Sequence, residues 1–192
     1  MNIPHIPVLY NEVLETFKNI NDGYIIDCTT GYAGHSSGLL SQNQNIKLIC
    51  NDQDDEALAF SKKRLEPFEN RVIFNKGNFE HVIDTFKDYQ IRGVLADIGV
   101  SSLQLDKLER GFGFESETLD MRMNQDQSLD AATVVNTYSQ SELERVFKEY
   151  GEVREYKKVA SLIVNNRPFT SAKQISELLS KKMSKGKIHP AT

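Results

Sequence analysis

Apolar residues in the first hundred positions fall into short continuous runs separated by stretches in which they recur every three or four residues. The runs at 24–27, 47–51, 72–75 and 93–97 read as strands, and the periodic stretches at 9–17, 35–40, 54–65 and 79–89 read as helices. Four short apolar strands joined by helical crossovers imply a parallel sheet covered on both faces. After Ser102 the alternation stops. Residues 103–128 are polar and rich in turn formers, and the remainder predicts helices only, at 131–137, 139–150, 154–166 and 171–183. Ser139 and Glu142 are spaced as a capping box, Gly151 stops that helix, and Pro168 ends the next. There are no repeats and no low-complexity segment. The expected division is a sheet unit over 1–105 and a loop-plus-helix unit over 106–192.

Composition narrows the class. The chain has 192 residues, 39% hydrophobic and 26% charged, which are globular values. No apolar run approaches a bilayer-spanning length, so a soluble protein with no membrane partner is expected. The N-terminal MNIPHIPVLYNEV lacks the basic flank and apolar core of a signal peptide. Cys28 and Cys50 lie in or beside predicted strands, which suits a reducing cytoplasm without metal site or disulfide framework. The net charge of −4 hides an asymmetry. Residues 1–138 carry 12 Lys and Arg against 21 Asp and Glu, a balance of −9; residues 139–192 carry 11 against 6, a balance of +5. The commoner meaning of a basic tail is a solvated helical face, but a basic lobe beside an acidic one also suits a polyanionic substrate.

Ligands of an open parallel sheet bind at the carboxyl ends of its strands. The first strand ends in Asp27 and runs through Thr29, Gly31, Ala33, Gly34 and His35 into a helix. Asp27, Thr29, Gly31 and Ala33 fall at every second position, the phase of the acid-x-Gly-x-Gly-x-Gly loop of S-adenosylmethionine (SAM) methyltransferases, with Thr29 and Ala33 in two glycine places. The second strand leads to Asp52, 21 residues beyond Gly31, close to the roughly 20-residue spacing of a ribose-binding acid. The third leads to Phe79, a candidate adenine neighbour, and the fourth to Asp97, Ser101 and Ser102. Each has a plainer reading: a tight turn for Gly31 and Gly34, a helix cap for Asp52, core for Phe79, a backbone contact for Asp97. Their joint occurrence at successive strand ends carries the case. A dinucleotide would need glycines at positions one, three and six, where Gly31, Ala33 and Ser36 stand. SAM has no phosphate and carries an ammonium and a sulfonium, so carboxylates suit it better than NAD.

Several segments together resemble one family. They are His5-Ile-Pro7-Val-Leu, Thr29-Thr-Gly31-Tyr-Ala33-Gly34-His35-Ser36, Asp97-Ile-Gly99-Val-Ser101-Ser102-Leu-Gln104-Leu-Asp106, Glu109-Arg110-Gly111-Phe112-Gly-Phe114, Leu119-Asp120-Met121-Arg122-Met123, Val135-Asn136-Thr137-Tyr138 and His189-Pro190-Ala191-Thr192. In this order they resemble the bacterial 16S rRNA cytidine-N4-methyltransferases (RsmH, formerly MraW), along the length of the chain. The resemblance implies an α/β fold: a Rossmann-like SAM-dependent methyltransferase sheet, of which the N-terminal strands are present, with an all-helical insertion domain. It implies that Ala33, Gly34, His35, Asp52, Phe79, Asp97 and Gln104 line a SAM pocket, and that the substrate is a cytidine in the decoding centre of 16S rRNA in the small ribosomal subunit. Asp27 and Gly31 join that cofactor set from the loop itself. Thr30, Tyr32, Ala33 and Leu103 stand where the family has Phe, Arg, Gly and Pro. Family members continue beyond His-Pro-Ala-Thr with strands that complete the sheet, so the expectation is a chain cut short or reduced.

Cytosine N4 is a poor nucleophile, so it must be held in line with the methyl donor and its hydrogen bond accepted. Asp97 or the Ile98 carbonyl is the candidate acceptor, with Ser101 and Ser102 placing the ring. A stacked base must first be extracted. Phe112 and Phe114 with Arg110 and Arg122 are candidates to stack a base and hold phosphates, and anchoring of the loop to the core is an equal reading for the two Phe residues. The helical region 129–187, with Lys157, Lys158, Lys181, Lys182, Lys185 and Lys187, is the candidate rRNA-docking lobe. The alternatives kept open are a non-catalytic SAM- or RNA-binding fragment and a NAD-dependent oxidoreductase. A second copy of the chain is a further candidate partner, since pairing would cover the open sheet edge.

Overall fold

The computed structural model describes residues 7–183 and leaves the side chains of Ser102 and Leu103 undescribed. His5, Lys185, Lys187 and the His189-Pro190-Ala191-Thr192 segment lie outside the described residues. The chain divides into two compact units, one ending at Gly99 and one beginning at Val100.

The first unit is built on four parallel strands, β1 (Tyr24–Asp27), β2 (Lys47–Asp52), β3 (Val72–Lys76) and β4 (Ile91–Leu95), in the order β3-β2-β1-β4. The two central strands carry apolar side chains on both faces, as a covered parallel sheet requires. Ile25, Leu48 and Cys50 point into a core shared with Leu39, Leu40 and Leu65, whereas Ile26 and Ile49 pack on Val82 and Phe86. Three helices flank these strands: α1 (Tyr10–Phe17), α2 (Gly34–Gln42) and α3 (Asp55–Arg64). Helix α1 lies on α2 where Gly34 faces the Pro7 ring and Gly38 faces the Tyr10 ring, approaches that a Cβ would block. Asp54 caps α3 by accepting from the Glu56 amide at 3.0 Å, and the acids Asp55 and Glu56 open a helix that closes on Lys62, Lys63 and Arg64. Arg71 stops α2 by donating to the carbonyls of Leu40 (2.8 Å) and Asn43 (2.7 Å).

The helix expected over 79–89 is reduced to a 3₁₀ turn, Phe79–His81, and one α-turn, α4 (Val82–Thr85). Of the apolar residues Phe79, Val82, Ile83 and Phe86, only Val82 and Phe86 are buried, one turn apart, so packing supports no more than one helical turn. Tyr89 then turns edge-on to both Phe86 and Tyr24, at 5.4 and 5.0 Å between ring centres, and delivers the chain to β4 two residues earlier than expected.

The second unit contains α5 (Ser102–Asp106), α6 (Ala131–Thr137), α7 (Gln140–Glu149), α8 (Tyr156–Asn165) and α9 (Ala172–Lys182). α5 lies in the stretch read as loop. Ser101 and Gln104 hold each other's backbone: the Ser101 amide donates to Gln104 Oε1 at 3.0 Å, and the Gln104 amide to Ser101 Oγ at 3.3 Å. That is a capping box, Ser-x-x-Gln. The Ser139 and Glu142 box at the start of α7 forms as expected. Leu143, Val159, Ala160, Ile163 and Leu179 from α7, α8 and α9 meet Leu119, Val135 and Phe169 in one core. Leu143 is fully buried there. Leu143→Ala is expected to destabilise the second unit by about 2–5 kcal/mol and leave the first unit's transition unchanged. Urea unfolding followed by hydrogen exchange, unit by unit, checks this.

Candidate functional site

Where parallel strands end and the chain turns away, backbone groups lose their ladder partners and need others. In the first unit this need is met by polar side chains gathered at the carboxyl ends of β1, β2 and β3. Asn51, fully buried, donates to the carbonyls of Cys28 and Gly77, each at 3.0 Å, and accepts from Asn75 Nδ2 at 2.7 Å. Its own carbonyl accepts from the Thr30 amide at 2.9 Å. Thr29 Oγ1 accepts from the Asp97 amide at 2.8 Å, which fixes the chain beyond β4 against the turn after β1.

The turn itself is stretched between two carboxylates. Asp27 is buried, and its Oδ2 accepts from Ser36 Oγ at 2.6 Å while Oδ1 accepts from the Thr29 amide at 3.3 Å. Burial outweighs those donors and pushes the carboxyl up to about 6. Asp52 Oδ2 accepts from the Gly31 amide at 2.8 Å and Oδ1 from the Asp54 amide at 3.0 Å. Burial raises its carboxyl above the usual range as well. Gly31 and Ala33 both occupy the left-handed region, at φ 51° and 55°. For Ala33 this conformation carries a cost that a glycine would not, and its Cβ is fully buried in the core.

Asp27, Gly31, Ala33, Gly34, His35, Asp52 and Asp97 are thus brought to one end of the sheet. His35 is buried, stacks on Tyr10 with ring centres 6.2 Å apart, and places Nε2 3.1 Å from the Val8 carbonyl. Phe79 follows β3 and is 42% exposed, not core. Asp97 is exposed beyond the end of β4. Asn51 did not figure among the expected site residues, and Thr29 figured only as a loop position in a glycine's place, not as the acceptor that holds the Asp97 amide.

Gln104, Ser101 and Ser102 belong to the second unit, where Ser101 and Gln104 form the cap of α5 described above. Arg110 is 2% exposed, and its Nη2 donates to the carbonyls of Arg122 (3.0 Å) and Met123 (3.2 Å). Arg122 grips Asp120 through Nη2 (2.6 Å) and Nε (3.0 Å), which holds the Asp120 carboxyl below the usual range. Phe112 is half-buried and Phe114 exposed. Lys157 and Lys158 are exposed on α8, with Lys158 3.3 Å from Glu155. Among the described residues no group of three or more His, Cys, Asp or Glu is arranged for a metal, and no helix is long and apolar enough to cross a membrane.

Parallel strands in this order, with turn glycine and carboxylates at their carboxyl ends, define a Rossmann-like α/β fold of the class that holds a cofactor at that end. A model of the MraW methylase family matches residues 2–192, and the chain belongs to that family. It is 88% identical over 192 residues to the ribosomal RNA small subunit methyltransferase H of Aliarcobacter butzleri (strain RM4018), covering 100% of this chain and 64% of that protein. It is 60% identical over 195 residues to the protein of the same name from Sulfurimonas denitrificans, covering 99% of this chain and 64% of the relative. The chain therefore spans 64% of the length of these curated relatives. Among solved structures, an rRNA methylase from Streptococcus thermophilus superposes with a TM-score of 0.40 at 15% identity, over 48% of this chain and 51% of that one. Precorrin-6y C5,15-methyltransferase from Geobacter metallireducens gives 0.43 at 14% identity, over 56% and 57%.

Because Asp27 binds a proton more readily folded than unfolded, its contribution to stability is full below about pH 4 and lost as pH rises through about 6. Asp27→Asn keeps an acceptor for Ser36 and removes this titration. Relative to the variant, the unsubstituted chain should lose roughly 2–3 kcal/mol between pH 4 and pH 7. Urea midpoints measured across that range check the sign.

Proposed function

We propose that this chain carries the cofactor-binding and RNA-binding parts of a SAM-dependent rRNA methyltransferase acting on N4 of a cytidine in the decoding centre of 16S rRNA. The observation that supports it most is the end-of-sheet cluster of Asp27, Asp52 and Asp97 around the Gly31–His35 turn, in a chain of the MraW methylase family. The small-subunit rRNA substrate is carried over from the relatives' names.

The residues fit SAM. Asp52 is half-buried and retains acceptor capacity beyond the amides of Gly31 and Asp54, as a ribose hydroxyl requires. A carboxylate that burial holds near its titration point gains from a neighbouring cation, and the Asp27 environment supplies that condition for an ammonium. Phe79 offers an exposed ring for the adenine. A pyrophosphate would meet these same carboxylates as like charges. When bound, SAM supplies an electrophilic methyl; the chain's own residues position it and accept the N4 hydrogen bond, for which Asp97 is our candidate. Ser101, Ser102 and Gln104 are assigned to substrate and cofactor placement, and Phe112, Phe114, Arg122, Lys157 and Lys158 to RNA. Arg110 serves this set through the loop it holds.

Calorimetric titration should show saturable binding of SAM and none of NADH, with Asp52→Ala weakening SAM at least tenfold, the worth of one charge-assisted hydrogen bond. NADH binding in place of SAM would overturn the cofactor. Small subunits lacking the modification, incubated with the chain and methyl-labelled SAM and digested to nucleosides, should yield label in N4-methylcytidine. Label in another nucleoside would overturn the substrate atom, and SAM binding without transfer would assign a binding role alone. RNA affinity should fall steeply between 50 and 200 mM salt, as phosphate contacts demand.

A further inference from the structure

Helix α3 closes on three cations, and they are not used alike. Lys63 is exposed, and Lys62 lies over the Phe74 ring at 5.8 Å. These two already answer the negative end of the helix. Arg64 instead turns back to a segment 32 residues earlier: half-buried, its Nη1 donates to the Tyr32 carbonyl at 2.9 Å. One turn earlier on the same face of α3, Phe60 meets the Tyr32 ring edge-on, with ring centres 4.5 Å apart. Helix α3 thus holds Tyr32 twice, by its backbone and by its side chain.

Tyr32 is the middle of the turn at the end of β1. Gly31 and Ala33, both left-handed, flank it, and the Ala33 amide donates to the Thr30 carbonyl at 2.7 Å. An alanine stays in that conformation only where its surroundings hold it. On the strand side the hold is Asp52, which accepts from the Gly31 amide at 2.8 Å. That carboxylate is also the one assigned to the ribose, whereas the hold from α3 is independent of any ligand. Burial lowers the Arg64 pKa from its ordinary value, so the guanidinium sits where water would suit its charge better.

We propose that Arg64 is a positioning residue for the cofactor, which by fixing the Tyr32 carbonyl keeps the Gly31–Ala33 turn in its binding conformation before SAM arrives. This rests on the SAM reading above. A turn already in place takes nothing from the binding energy to become ordered. Charge alone argues the other way. SAM carries a net positive charge, so a cation beside its turn repels it, and removing that cation would by itself tighten binding. The two effects have opposite signs and are separable.

Calorimetric titration with SAM, with thermal midpoints measured in parallel, reads the sign. Arg64→Met keeps the stem and removes donor and charge; it should bind SAM roughly three- to tenfold more weakly. Lys63→Met removes the same charge without a tether and should bind no more weakly than the unsubstituted chain. Arg64→Lys retains a donor for the one carbonyl and should recover most of the affinity. Phe60→Leu cuts the second hold, leaves the charge alone, and should weaken SAM about twofold. Equal or tighter binding by folded Arg64→Met, or an equal loss in Lys63→Met, would overturn the proposal alone. Should Arg64→Met lose its unfolding transition, undiminished binding by Phe60→Leu would do so. Failure of the unsubstituted chain to bind SAM would overturn it together with the cofactor reading.

Discussion

The first unit depends on how the ends of its strands are finished. A parallel ladder leaves its last carbonyls and amides without partners just where the chain must turn toward a ligand, and a buried polar group left alone costs as much as a lost hydrogen bond. Asn51 meets that cost for β1, β2 and β3 together, because one amide side chain can donate twice and accept as well. Thr29 extends the stitching to the segment after β4. Only with these backbones fixed can Gly31 and Ala33 hold left-handed conformations between Asp27 and Asp52.

The second unit meets the same requirement with a cation. Arg110 lies inside its loop and spends its guanidinium on backbone carbonyls, as Arg71 does at the end of α2 and Arg167 does toward Val135 and Tyr138. A planar fork of donors satisfies two or three carbonyls spread along the chain from one fixed position, whereas a lysine offers its three donors from a single rotating point. The loop's order therefore comes from within, and its surface is left to Phe114, Met121 and Leu129.

The four strands were legible from their Ile, Val and Leu runs, and α7 was legible to within one residue at each end because Ser139 and Glu142 declare its start. The segment 79–89 misled because Phe79, Val82, Ile83 and Phe86 recur at helical spacing, whereas only Val82 and Phe86 are buried and the helix lasts one turn. Ser101 and Gln104 attracted attention as chemistry, while their spacing also spelled a helix start. Asp27, Gly31 and Asp52 were legible from their phase after strands. Asn51 was not, since its role appears only when Cys28, Gly77 and Asn75 converge on it in space. Arg110 carries no mark in sequence that separates a buried arginine from a phosphate ligand; that distinction is made by carbonyls 12 and 13 residues away.

The buried Asp27 also gives the sheet end a proton economy. At a pH near its titration point of about 6, roughly half of the molecules hold a proton there. A cation arriving beside it would displace that proton into solvent. The heat of such an association would then contain the ionisation enthalpy of whatever buffer takes the proton up, and would differ between phosphate and an amine buffer at the same affinity.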